Sequence, residues 1–221
     1  KAINLSLTDT HLDLGGIMAL AKDFVPPEFA TATMSGNLSP TLALTGSPSD
    51  SGFQGTIHAR LGGKDVEIHL PGLPLTVGPT NVILTANKVQ VKDGLPLMGN
   101  VSANLSTHDL TFQTYGVQNL EFMLESDYQD PGPFSGKLKI SGNTSLPGDL
   151  LGTPFNIPFA VILDTSGNHR TRHIQVKNLN ADLSPYGTIQ MTGSLQPHPS
   201  PKQGMDASLE VRLSPKINAL L

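Results

Sequence analysis

The chain has 221 residues, a formal net charge of −4, 14% charged and 38% hydrophobic residues, and no cysteine. Without thiols there is no disulfide or thiolate–metal framework, and a weakly acidic chain with no basic cluster argues against a nucleic-acid partner. No apolar run reaches the length of about eighteen residues that a membrane-crossing helix needs.

Charged residues fall well below the roughly 25% of an average soluble domain. Ser, Thr and Asn fill the difference together with 22 Gly and 18 Pro, the punctuation of many short strands. Alternating apolar positions argue against disorder in spite of this polar composition. The chain opens on Lys1-Ala2-Ile3-Asn4 with neither a start methionine nor a signal pattern, so it reads as a mature form or a cut fragment of something longer.

Taken in order, Ala2 to Leu7 alternates through Ile3, Leu5 and Leu7 and reads as a strand. From Leu12 to Phe24 the period changes: Leu14, Ile17, Met18, Ala21 and Phe24 share one helical face, Asp13 is positioned to cap it, and Pro26-Pro27 stops it. Gly15-Gly16 weaken its first turn by about 1 kcal/mol each, so packing against a sheet must hold it. It reads as a covering helix, which at the end of an open sheet would also act as a plug.

From Phe29 onward the spacing predicts strand after strand. Thr31–Leu38, Thr41–Gly46 and Phe53–Leu61 are divided by Ser39-Pro40 and by residues 47–52. Gly62-Gly63-Lys64-Asp65 reads as a tight hairpin into Val66–Leu70. Pro71-Gly72 and Gly78-Pro79 bracket a short extended piece before Val82–Leu84, Val89–Val91, Val101–Leu105 and Leu110–Phe112. Further strands follow around Leu120–Leu124, Leu138–Ile140, Ile157–Leu163, Ile174–Val176, Leu179–Leu183, Thr188–Leu195 and Ser208–Leu213, with Pro197–Pro201 a stiff connector before the last. About fifteen strands of five to nine residues result, joined by short turns into an antiparallel meander. The domain reading is a strand plus capping helix over 1–28, repetitive sheet over 29–196, and connector plus terminal strand over 197–221, in one continuous domain.

One pattern recurs. Phe134-Ser135-Gly136-Lys137-Leu138-Lys139-Ile140-Ser141-Gly142 returns as Tyr186 to Gly193, and more loosely at Phe53–Ala59 and Met98–Leu105. Its glycines at 55, 99, 136 and 187 are too unevenly spaced for a strict solenoid and suit a β-unit with variable loops.

Chemistry is harder to find. Asp164-Thr165-Ser166-Gly167 lacks the Asp-Thr-Gly or Asp-Ser-Gly turn of an aspartic protease and has no second copy, so it reads as a strand end plus polar turn. Strand alternation puts His169 and His173 on one face, but they lie among arginines that would repel a cation, with no third ligand suggested, and read as a solvated hairpin tip. No nucleophile elbow, phosphate loop or dinucleotide fingerprint occurs. The expectation is a non-enzyme with no cofactor and no metal.

The strand pattern resembles the AsmA-like family of bacterial envelope proteins, TamB-type members included. The likeness rests on Leu12-Asp13-Leu14 entering a short helix followed by Val25-Pro26-Pro27, on Ser35-Gly36-Asn37-Leu38 with Leu42–Gly46, on the strands at 136–142 and 187–193, and on Val176–Leu183. The resemblance implies a periplasmic segment of the Gram-negative envelope, anchored in the inner membrane through a part not present here. Its partners would be phospholipid or another acyl-chain lipid, both membranes through the full-length protein, and protein partners in the envelope. It implies a β-taco-like fold: all-β, mainly antiparallel, an elongated curled sheet whose apolar groove carries lipid tails between the membranes.

Physics agrees with that expectation. Exposing a tail of about sixteen carbons to water costs roughly 13 kcal/mol, so a carrier needs a continuous apolar lining. Twist would curl about fifteen strands into a trough roughly 70 Å long. Alternation nominates Ile57, Leu84, Val91, Leu138, Ile140, Phe159, Val161, Ile189, Met191 and Leu195 as lining. Two other readings share the alternation: a β-sandwich or solenoid spacer with a self-filled core, and an outer-membrane protein assembly factor that pairs through its strand edge.

Overall fold

The computed structural model describes residues 2–8, 10–21, 32–50, 52–70, 75–93, 95–113, 115–146, 155–195 and 205–213. In chain order these form β1 (Ile3–Leu7), β2 (Leu12–Asp13), α1 (Leu14–Ala21), β3 (Thr33–Ser49), β4 (Gly52–Leu70), β5 (Leu75–Lys92), β6 (Leu95–Phe112), β7 (Tyr115–Gln129), β8 (Pro133–Leu146), β9 (Phe155–Asn168), β10 (His173–Asp182), β11 (Gly187–Leu195) and β12 (Met205–Leu213).

All twelve strands join one sheet in the order β1-β3-β4-β5-β6-β7-β8-β9-β10-β11-β12, with β2 beside β3. From β3 on, every strand pairs antiparallel with the next in sequence, as the short connectors require. The sheet does not close. Its two ends, β1 and β12, are not joined to each other.

The strands are fewer and longer than the sequence suggests. Gly62–Asp65 is not a hairpin: β4 runs through it for 19 residues, and a bulge takes up the turn signal with Asp65 at φ 52°. Likewise Ser39-Pro40 lies inside β3 and Gly78-Pro79 inside β5, and β10 joins the segments around Ile174 and Leu179 across a bulge. The prolines are tolerated where the ladder has no use for their N–H. Pro40 falls in the gap between the pairings of β1 with residues 42–46 and of β2 with residues 37–38. Pro79 sits in a bulge, and Pro158 lies beyond the end of β10. Asp164–Gly167 belongs wholly to β9 rather than to a turn. The connector at 197–201, the helix stop at Pro26-Pro27 and Pro71-Gly72 lie outside the described residues.

The sheet is a single layer, so the sandwich expectation of a filled core is not met: apart from α1 on β3, the strands pack substantially only against their sheet neighbours. The accessible surface of 14372 Å² far exceeds the about 9,700 Å² of a compact monomer of this mass. Among the described residues only Leu14, Val66, Val89 and Val91 are buried hydrophobics. Stability therefore rests on the backbone ladder and on cross-strand side-chain pairs, each worth about 0.2–1 kcal/mol.

Aromatic rings supply some of that cover. Phe53 lies over the opposed pair Gly46 and Gly55, where a Cβ on Gly46 would come within 2.6 Å of the ring. Phe134 covers its partner Gly167, and Phe159 its partner Gly142, in the same way. The recurring aromatic and glycine residues of the sequence are thus in part rings laid across bare backbone.

Helix α1 begins where expected. Asp13 accepts from the amide of Gly15 at 3.2 Å and of Gly16 at 3.0 Å, satisfying two orphan donors of the first turn. The helix packs on β3 and buries Leu14, whereas Ile17 is 39% exposed and Leu20 83%. Asp13→Ala is expected to cost about 1 kcal/mol, a fall in melting temperature of roughly 2–4 °C for a chain of this size, measured by circular dichroism.

Candidate functional site: an uncharged face of the open sheet

Because partners in an antiparallel ladder share a face, the register assigns every side chain to one side. One rung runs Pro40–Leu61–Leu84–Ala103–Leu124–Leu138–Leu163–Leu179–Met191. The next runs Leu38–Gly63–Val82–Leu105–Phe122–Ile140–Val161–Ala181–Ile189. Both cross the nine strands from β3 to β11, about 40 Å at about 4.8 Å per strand. A third, Ala59–Ala86–Val101–Ser126–Gly136–Thr165–Val176–Gly193, is a lane of smaller side chains beside the leucine rung.

The positions nominated from sequence fall on this one face. Leu84, Leu138 and Met191 belong to the first rung, and Ile140, Val161 and Ile189 to the second. Ile57 pairs with Leu44 and Val89, Val91 with Gly55, and Phe159 with Gly142. Leu84 is 42% exposed and Val91 8%, while Ile57, Leu138, Ile140, Phe159, Val161, Ile189 and Met191 are half-buried. Leu195 stands opposite Ile174 in the register, and its side chain lies outside the described residues. Alternation alone did not nominate Leu61, Leu105, Phe122, Leu124, Leu163 or Leu179, which complete the rungs. The missing signal was the register. Reading Gly62–Asp65 as a turn hid the fact that Leu61 and Val66 belong to one strand and one face.

Among the residues that the register pairs, no charged side chain occupies this face in β3–β11; Asp65, Lys88 and Lys177 sit in bulges without a register partner. Arg60, Glu121, Glu125, Asp127, Lys137, Lys139 and Asp164 all stand on the opposite face, with many Asn, Ser and Thr residues. The step in alternation common to β4, β5, β6 and β7 (residues 64–65, 78–79, 108–109 and 118–119) keeps the apolar rows in phase, since each strand skips in concert with its neighbours. Its cost is met locally. Thr80 and Thr107, 3% and 4% exposed and directly paired, donate to the carbonyls of Gly78 and Asp109 at 2.7 and 3.2 Å. Partial burial pushes the Tyr128 hydroxyl above its ordinary value.

Other candidates dissolve. His169 lies in the β9–β10 turn and His173 begins β10, so they do not share a strand face, and His169 instead packs on Phe134 with ring centroids 4.8 Å apart. No group of three metal-ligating side chains occurs among the described residues. No helix among them is long and apolar enough to cross a membrane. A scan against protein-family models, a search of curated proteins and a search of solved structures each return no match to this chain.

Proposed function

We propose that the chain is a non-enzymatic, periplasmic segment of an AsmA-like envelope protein. In this reading its apolar sheet face shields the acyl chains of phospholipids moving between the inner and outer membranes. The observation that carries the reading is the pair of apolar rungs crossing nine strands with no charge between them. An acyl chain leaving a bilayer forfeits about 0.8 kcal/mol for each CH₂ that meets water, so a carrier must offer hydrocarbon at every step. Continuous rungs meet that need, and no single residue has to do chemistry. Half-exposed Leu, Ile, Val and Met are also unusual on a face left to water, since contiguous apolar patches of more than a few hundred Å² mark interaction sites.

The test is native mass spectrometry of the protein purified from Gram-negative cells without detergent, followed by solvent extraction. The expected result is protein carrying phospholipid adducts, with acyl-chain lipid in the extract. A lipid-free mass, with purified phospholipid vesicles failing to load the protein, would overturn the proposal.

A further inference from the structure

The turn between β9 and β10 sets positive charge at one end of the apolar face. Register makes Tyr128, Phe134, Gly167 and Ile174 the row of that face nearest the turn. Phe134 lies across Gly167, Ile174 is 41% exposed, and the His169 ring folds back onto Phe134. The turn is pinned in place. Asn168 Oδ1 accepts from the amides of Arg170 at 2.9 Å and Thr171 at 3.3 Å, and the His169 amide donates to the Gly132 carbonyl at 2.8 Å. Arg170 and Arg172 are exposed. Among the described residues that connect strands they are the only Lys or Arg, whereas the other turns on this edge of the sheet carry Asp50, Asp93 and Asp130. Neither arginine forms an ion pair among the described residues, where the single such pair is Arg212 with Glu210.

We infer that this turn receives a phosphate-bearing headgroup, so that the face takes anionic phospholipid in preference to a neutral lipid with the same tails. The inference rests on the lipid reading of the apolar face and names the end of the ligand that reading leaves open. A guanidinium presents its N–H donors in a planar fork that matches two oxygens of a phosphate. Two of them share this turn, and no carboxylate among the described residues pairs with either. An acyl chain lying on Ile174 and Phe134 brings its charged end to the edge of the face, because that end cannot follow the tail over hydrocarbon without losing its water. The arginines stand where it would emerge. Both are exposed, so salt screens their attraction, and the preference fades as ionic strength rises.

The experiment offers the full chain an equimolar mixture of dioleoyl phosphatidylglycerol and dioleoylglycerol, delivered from cyclodextrin, and counts each bound lipid by native mass spectrometry. The expected result at low salt is at least tenfold more phosphatidylglycerol than dioleoylglycerol. Arg170→Gln with Arg172→Gln brings the two towards parity by lowering phosphatidylglycerol alone, and molar salt does the same to the unaltered chain. Circular dichroism checks the fold, and Arg170→Gln alone replaces the pair if the pair does not fold. Equal loading of both lipids, or a preference that survives the arginine variants, overturns the headgroup assignment and leaves the lipid reading standing. Loading of neither lipid defeats the lipid reading and this inference with it. Phosphorus NMR with inorganic phosphate separates the free anion from the headgroup: free phosphate bound at the turn as tightly as the phospholipid would also overturn the assignment.

Discussion

Changing Ile140 and Met191 together to Asp is expected to empty the protein of co-purifying lipid while leaving the sheet folded. The two residues stand in adjacent rungs, Ile140 between Phe122 and Val161 and Met191 beside Leu179. Each carboxylate would face hydrocarbon if a tail lay along the rungs, and an unpaired charge there costs several kcal/mol. That is enough to reduce loading by a factor of a hundred or more, at about 1.4 kcal/mol per tenfold. The fold pays less. Both side chains are half-buried, so the new carboxylates reach water, and the loss is confined to a few cross-strand pairs worth about 0.2–1 kcal/mol each. At roughly 2–4 °C per kcal/mol for a chain of this size, the melting temperature should fall by less than about 10 °C. Lipid content by mass spectrometry and melting by circular dichroism report the two effects separately. Lipid retained by a folded double variant would remove the rungs from the transport reading. Outright unfolding would mean that these residues fill a core rather than line a surface.

The faces of this sheet were legible in the sequence because the side-chain period of a strand is two. Ile57, Leu138, Ile140 and Ile189 alternate with polar neighbours, and each falls on the uncharged side. Helix α1 was legible for the same kind of reason, its change of period following a capping Asp13. What could not be read was continuity. Gly62–Asp65 and Gly78-Pro79 carry the chemistry of turns, yet both are absorbed within strands because neighbouring strands step out of alternation at the same level. Whether a glycine ends a strand or bulges it depends on its partner, and pairing is not a local property. The polar row across the opposite face was invisible for the same reason. Asn87, Asn100 and Asp127 sit in three different strands, and only the register makes them neighbours.

Gly36 offers the sharpest test of those matched irregularities, and Gly36→Val is expected to be severely destabilising. The pairing of β3 with β4 shifts register between Ser35 and Asn37, so Gly36 meets the bulge formed by Asp65, with φ at 108° and 52° respectively. A Cβ on Gly36 would lie 2.5 Å from the Asp65 carbonyl oxygen and 2.7 Å from Val66 Cα. Those are backbone atoms and cannot rotate away, and Val66 is itself buried at 7% exposure. A β-branched residue at that φ costs about 1–3 kcal/mol in backbone strain, and overpacking adds about 1–3 kcal/mol. The combined loss of about 3 kcal/mol or more should lower the melting temperature by roughly 6–12 °C. Gly62→Ala is the matched control in the same pair of strands, because the nearest atom to its added Cβ is the Ser39 carbonyl oxygen at an ordinary 3.8 Å. With no clash to offset it, the reduced freedom of the unfolded chain should stabilise by about 0.4–1 kcal/mol. Thermal melts of the two variants should therefore move in opposite directions. If Gly36→Val melted with the wild type, the paired bulge would not be the feature that keeps β3 and β4 in phase, and the alignment of Leu38 with Gly63 and of Pro40 with Leu61 would need another cause.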